Sequence, residues 1–355
     1  KIMNKRFEVM ETLLADSKYF KLVCGAGNEN PDEVEKLAFV YTLAGAKGFD
    51  VAANPHIVEC CVLGINKAFK LSKKFDIPLQ IKPFITVSVG MPGDHHVRKS
   101  EIHLDECIKC NLCIPVCPTE AIPGSLIVIE DKCIGCGSCS AVCPKQEAIT
   151  YRHNERELEN VLPKCLDAGA EHIELHAAIA EDETIMEEWS LVNRINPHGH
   201  NSMCLDRLHL SNFAFEERVR KAQAIAGSRL IVQSDGYPMS GGVDDYNTTL
   251  QAVATADVLN KAFNMMLRKS NNTLIYTKRS LKVKQLLSGG TNSLTTKLAN
   301  DANVLWHGVS LGTFARNLIK EEIQTPSFNT DFKLQKLAVK KAHNLVVNNI
   351  GNPPL

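Results

Sequence analysis

No apolar run in the chain approaches the ~20 residues needed to cross a bilayer. The longest, around Leu37–Ala46, is interrupted by Thr42 and Gly45 and reads as a buried helix. Net charge is missing too: 40 basic residues stand against 40 acidic ones, so no global field calls for nucleic acid or an anionic membrane. Local basic runs, such as Lys278–Arg279 with Lys282 and Lys284, read as solvated helix faces. The first residues, Lys1-Ile2-Met3-Asn4, contain no apolar signal-peptide core, and a lysine start reads as a processed or trimmed form. Aromatics are scarce at 6%, yet the 355 residues are 44% hydrophobic, enough for one large domain with a small one, or two medium ones.

What is abundant is cysteine, with 13 residues. Eight of them fall into two runs, Cys107-x2-Cys110-x2-Cys113-x3-Cys117-Pro118 and Cys133-x2-Cys136-x2-Cys139-x3-Cys143-Pro144. This is the complete C-x2-C-x2-C-x3-C-P pattern of two-cluster ferredoxins. Each cysteine recurs 26 positions later, Asp105 matches Asp131, Ile108 matches Ile134, and Thr119-Glu-Ala-Ile122 recurs as Gln146-Glu-Ala-Ile149. The segment is therefore an internal duplication with a pseudo-two-fold axis. Two intervening residues let three thiolates converge on one cubane, while the fourth cysteine of each run reaches the other. The expected ligand sets are Cys107, Cys110, Cys113 and Cys143 for one [4Fe–4S] cluster, and Cys133, Cys136, Cys139 and Cys117 for the second. Gly135 and Gly137 would let backbone amides approach the sulfurs, and Ile102, Leu104, Ile122, Ile127, Ile134 and Ile149 would keep water away. A zinc site is the competing reading. Eight cysteines with no histidine in this doubled register argue against it. Clusters and free thiols both fit a reducing interior rather than a secretory route.

On both sides of this segment, short apolar runs alternate with amphipathic stretches. Phe20–Cys24, Gly48–Val51, Ile85–Val89, His172–His176, Met203–His209, Leu230–Ser234, Leu286–Ser288 and Asn303–His307 read as strands. Pro78–Ile81 reads as a kinked start to the third. The helix after Ser234 is expected over Tyr246–Met266. Alternation of this length, with roughly eight strands, predicts a (β/α)8 TIM-barrel-like domain with an inserted two-cluster ferredoxin-like module. An open doubly wound sheet is the alternative. The expected division is residues 1–97 for the first part of the barrel, 98–150 for the insert, 151–323 for the remainder, and 324–355 for a C-terminal helix and tail.

A barrel places chemistry on the loops after its strands. Gly289, Gly290 and Thr291 follow one late strand, and Gly312 and Thr313 the next. Glycine-rich turns ahead of helix N-termini suit a phosphate, with Arg316 as a further contact; simple tight turns are the plain alternative. Asp235, within Gln233-Ser-Asp235-Gly-Tyr-Pro-Met-Ser-Gly-Gly242, would contact such a ligand across the mouth. Glu174, His176, Asp206 and His209 are expected at strand ends, with Cys24 or His176 lining the floor. Cys60, Cys61 and Cys165 read as small core residues in helices.

Beyond the cysteine runs, the chain carries Phe20-Lys-Leu-Val-Cys-Gly-Ala26, Tyr41-Thr-Leu-Ala-Gly-Ala46, Asp50-Val-Ala-Ala53, the Gln233–Gly241 segment and Ser288-Gly-Gly-Thr-Asn292. In this combination it resembles the cyanobacterial light-dependent period (LdpA) family with its algal and plant relatives. The resemblance implies a redox-active iron–sulfur protein that senses the photosynthetic electron chain and passes light or metabolic state to circadian input proteins. Its location would be the chloroplast stroma or the cyanobacterial cytoplasm. The Asn- and Lys-rich tail points to the plastid. Redox donors, acceptors or regulatory proteins would be its partners, with no nucleic acid and no transmembrane segment.

Three functions compete at this stage. The first is a redox sensor or electron-transfer regulator with no turnover in the barrel. The second is an oxidoreductase whose clusters feed FMN or another phosphate-bearing ligand on Gly289, Gly290 and Gly312. The third treats the clusters as structural staples.

Overall fold

The computed structural model describes residues 2–90, 98–133, 135–153, 157–178, 182–208, 210–236, 244–270, 273–278, 283–288 and 293–354. In chain order the strands are β1 (Tyr19–Gly25), β2 (Gly48–Ala52), β3 (Phe84–Gly90), β4 (Arg98–Ile102), β5 (Ile149–His153) and β6 (His172–His176). They continue as β7 (Asn201–Leu205), β8 (Leu230–Ser234), β9 (Met265–Ser270), β10 (Thr273–Lys278), β11 (Lys284–Ser288) and β12 (Gly308–Leu311). Eight of them close a barrel in the order β1-β12-β11-β8-β7-β6-β3-β2, every pair parallel. The (β/α)8 expectation holds, and the open-sheet alternative does not.

Physical chemistry fixes which side of each strand faces in. Successive side chains point to opposite faces. On β1, Phe20, Leu22 and Cys24 join the large core shared with the outer helices, where Phe20 stacks on Tyr41 of the helix Pro31–Ala44. Tyr19 instead joins Phe84, Ile231 and Leu286 in a smaller cluster with Met10, Leu13 and Leu14 of the helix Ile2–Ala15. That N-terminal helix, unassigned from sequence, plugs the barrel's base, and each buried side chain of this size contributes roughly 1.5–3 kcal/mol. Gly48 makes room for the Tyr19 ring, because a Cβ there would lie 2.2 Å from the Tyr19 hydroxyl oxygen.

Four local expectations are corrected. Pro78–Ile81 is not strand, since β3 begins only at Phe84, after Pro83. The last strand is Gly308–Leu311 rather than Asn303–His307. Its apolar-polar alternation is short, and Gly308 resembles turn sequence, yet Gly308 pairs with both Tyr19 and Leu286. β7 ends at Leu205, earlier than His209, because Asp206 caps a turn by accepting the Leu208 N–H at 2.8 Å. The helix after β8 runs Asp245–Leu259 and continues as a π-helical turn over Asn260–Asn264, two residues short of Met266, and a hairpin of β9 with β10 follows. Among the described residues, no helix is long and apolar enough to cross a membrane.

Strands β4 and β5 are outside the barrel. They form an antiparallel pair, Arg98 opposite His153 through Ile102 opposite Ile149, between the neighbouring barrel strands β3 and β6. The two cysteine runs hang from this hairpin as an insert.

Candidate functional site

The insert repeats its backbone as well as its sequence. Lys109 and Asn111 in the first run, and Gly135 and Gly137 in the second, all adopt positive φ. These pairs are 26 residues apart. Only the second copy fills both positions with glycine; asparagine tolerates the left-handed region, whereas lysine pays a steric cost there. The turns aim amides at sulfur: Lys109 N–H lies 3.4 Å from Cys107 Sγ and Ala121 N–H 3.2 Å from Cys117 Sγ. Ser100 N–H lies 3.4 Å from Cys133 Sγ. Such donors stabilise negative charge on a thiolate and its metal.

One pocket is lined by Cys117 together with Cys133, Cys136 and Cys139. Cys107, Cys113 and Cys143 pack, together with Cys117 and Cys139, in an apolar cluster with Ile102, Ile122, Leu126, Val128 and Ile149, while Cys110 is exposed. Burial pushes the Cys113 and Cys139 thiols up, so metal ligation there must displace a proton. Four convergent thiols, aimed amides and an apolar shell suit iron–sulfur clusters. Leu104 and Ile127 do not join that shell, being exposed, and Ile134 lies outside the described residues.

The insert is anchored to the barrel beside the second run. Lys99 is buried, and its ammonium donates to the carbonyls of Cys133 and Glu130, each at 2.8 Å, and to that of Gly27 in the turn after β1. Glu29 N–H donates to the Asp131 carbonyl at 3.0 Å. Lys320 reaches Glu120 at 2.8 Å.

The barrel's interior forms a second polar centre. Lys21 Nζ lies 2.6 Å from Glu174 Oε2 and 3.1 Å from Asp50 Oδ2. Since β2 and β3 separate β1 from β6 along the wall, the contact between Lys21 and Glu174 runs across the axis. Ser88 donates to Asp50, and Ser202 to Glu174 Oε2 at 2.7 Å. Burial favours a neutral Lys21, but the Glu174 and Asp50 carboxylates outweigh it and hold the ammonium above its ordinary range. Burial, opposed by Lys21, leaves Asp50 pushed up to about 7. Burial also works against the Glu174 carboxylate, but Lys21 overcomes it and draws that group down. The sequence did carry a signal for these residues. Lys21, Asp50, Ser88 and Glu174 each sit between two apolar neighbours in a strand that a barrel buries on both faces.

Other expected residues sort as follows. His176 ends β6, its Nε2 3.7 Å from Glu174 Oε1. Asp235 accepts the Cys204 S–H at 3.3 Å and the Gly236 N–H at 2.9 Å. Gly312 precedes a six-residue helix that begins at Thr313, and Arg316 binds the Cys24 carbonyl at 2.7 Å and Thr313 Oγ1 at 3.2 Å. Gly289, Gly290, Thr291 and His209 lie outside the described residues. Cys24 is not on the barrel floor. It packs against the outer helices beside Tyr41 and Cys61, and burial pushes its thiol far up. Cys60, Cys61 and Cys165 are buried in helices as expected.

Residues 100–151 match a 4Fe–4S dicluster domain. Residues 166–348 match the light-dependent period A C-terminal domain. The chain belongs to the light-dependent period A family. A curated member of that family, Light dependent period A of Synechococcus elongatus, is 31% identical over 243 residues, covering 68% of this chain. The chain spans 66% of that relative's length. Among solved structures, the YdjI aldolase of Escherichia coli K12 aligns with 97% of this chain and 96% of its own, at 8% identity and a TM-score of 0.46. Truncated 3-deoxy-D-arabino-heptulosonate 7-phosphate synthase of Thermotoga maritima aligns with 94% of this chain and 88% of its own, at 12% identity and a TM-score of 0.42. Family membership and the dicluster match make this light-dependent period A relative an iron–sulfur protein.

Proposed function

We propose that the chain is a redox sensor or electron-transfer regulator carrying two [4Fe–4S] clusters. One is held by Cys107, Cys110, Cys113 and Cys143, the other by Cys133, Cys136, Cys139 and Cys117. The observation that carries this reading is the pocket in which Cys117, from the first run, meets three cysteines of the second. Crossed sharing of this kind is how a doubled ferredoxin run holds two clusters. Bound there, such clusters supply one-electron transfer. Ile122, Leu126 and Ile149 exclude water from the sulfurs, while the Ser100 and Ala121 amides offset thiolate charge. The partners are redox donors, acceptors or regulatory proteins, the relative's name supports a link to light and to a period, and we extend this to circadian input in a plastid stroma or cyanobacterial cytoplasm. Residues 98–150 act as the redox module, with 1–97 and 151–323 as its barrel and 324–355 as the closing helix and tail.

Anaerobic purification should give about eight irons per chain, four for each cluster. Cys110→Ser and Cys136→Ser should each lose about half of that iron, leaving one reducible centre by electron paramagnetic resonance. Unchanged iron in either variant overturns the ligand sets.

The polar barrel interior favours a second reading, an iron–sulfur oxidoreductase whose barrel binds FMN or another phosphate-bearing ligand near Gly289, Gly290, Thr291, Gly312, Thr313 and Asp235. Flavin bands in the purified protein, or thermal protection by added FMN, would select it. A bare iron–sulfur spectrum with no protection would select the sensor.

A further inference from the structure

We propose that the barrel interior holds a divalent transition metal, zinc by the chemistry of its donors, on Glu174 Oε1, the His176 imidazole and Cys204 Sγ. The three side chains come from the adjacent strands β6 and β7, all are buried, and their donor atoms lie within 4.8 Å of one another. This centre is separate from the cysteine runs.

The decisive feature is the asymmetry of Glu174. Its Oε2 is fixed by Lys21 at 2.6 Å and Ser202 at 2.7 Å. Its Oε1, equally buried, has no hydrogen-bond donor among the described residues and faces His176 Nε2 at 3.7 Å. A carboxylate held by one oxygen, with the other turned towards an imidazole and a thiol, is the orientation a ligating carboxylate needs. Lys21 and Ser202 then act as its outer supports.

Charge points the same way. Lys21 faces two carboxylates, Asp50 and Glu174, and Asp235 lies beside Cys204, so carboxylates outnumber the ammonium around this centre. A divalent ion with Glu174 and a Cys204 thiolate sums to zero. Binding displaces the thiol proton of Cys204; Asp235, already accepting that S–H at 3.3 Å, takes it and passes it to solvent. No electron moves. Magnesium and calcium select all-oxygen ligands, whereas one sulfur, one nitrogen and one oxygen suit zinc. Three protein ligands leave a fourth position for water or an oxygen-bearing ligand, as in catalytic zinc sites.

The test uses anaerobically purified full-length protein with its iron loaded, exposed to zinc chloride and passed through a desalting column. One zinc per chain should be retained without loss of iron. Its K-edge absorption should show a single sulfur at about 2.3 Å with nitrogen and oxygen neighbours. Cys204→Ser and Glu174→Gln should each weaken zinc retention at least about tenfold, with iron content unchanged. A sulfur-rich shell would place the zinc in the cysteine runs and overturn the proposal. So would retention that survives both substitutions. Failure of the wild type to retain zinc would mean that Glu174 and His176 simply pair, and the wild-type measurement decides this even if a variant does not fold.

Discussion

Lys21 and Glu174 meet across the barrel axis, ammonium nitrogen to carboxylate oxygen at 2.6 Å, with neither side chain exposed beyond 2%. A buried cation shared by two carboxylates is a strong constraint on folding, because removing it leaves uncompensated charge where water does not reach. Lys21→Met should therefore cost ~3–5 kcal/mol, read as a large fall in the thermal midpoint of anaerobically held protein. Adding Asp50→Asn and Glu174→Gln to that variant should recover much of the loss. A midpoint unchanged in Lys21→Met would show that the triad adds nothing to stability.

His172 sits at the barrel's base, stacked on Phe84 at 5.1 Å and edge-on to His200 at 5.5 Å. Burial first, then the positive potential of His200, Arg6 and Lys21, draws its pKa well below 6.5. The unfolded chain takes up this proton near pH 6.5 and the native chain only at much lower pH. Stability is thus fully present above pH 6.5 and falls as the pH drops below it, by up to about 1.4 kcal/mol per pH unit for one proton. His172→Gln should flatten the dependence between pH 6.5 and 5. Parallel curves for wild type and variant would rule His172 out as its source.

Lys99 places a buried positive charge against the Cys133 carbonyl at 2.8 Å. Positive charge beside a cluster favours its reduced, more negative state. Lys99→Met should shift the centre served by Cys133 to a lower potential and move the other much less. Redox titration followed by electron paramagnetic resonance resolves the two. Equal shifts, or none, would remove Lys99 from the electrostatics of the site.

The insert leaves and rejoins the barrel between strands that are already neighbours, and Arg98 pairs with His153 where it does so. Replacing residues 98–153 with a short linker should give a folded, colourless barrel. Its circular dichroism should keep the helical signal, since the main core draws on none of the insert's described residues. An unfolded product would show that the barrel needs the contacts of Lys99 and Glu29 to close.

Spacing alone carried the iron–sulfur module. Cysteine runs of this kind work through local geometry, so C-x2-C-x2-C-x3-C-P and its 26-residue repeat specified the turns that place Lys109, Asn111, Gly135 and Gly137 at positive φ. The barrel was equally legible, because strand and helix periodicities are local too. Strand edges were less so. Gly308–Leu311 became β12 because two neighbouring strands supply its hydrogen bonds, and no sequence window contains those partners. Cys24 illustrates the same limit. It was expected on the pocket floor, but which face of β1 turns outward was decided by packing of Phe20 and Leu22 against the helices. The interior centre of Lys21, Asp50, Glu174, His176 and Cys204 depended on tertiary structure most of all. Glu174 and His176 were legible as strand-end polar residues, but their partners were not; closure of the barrel brings residues 153 apart in sequence, Lys21 and Glu174, into contact.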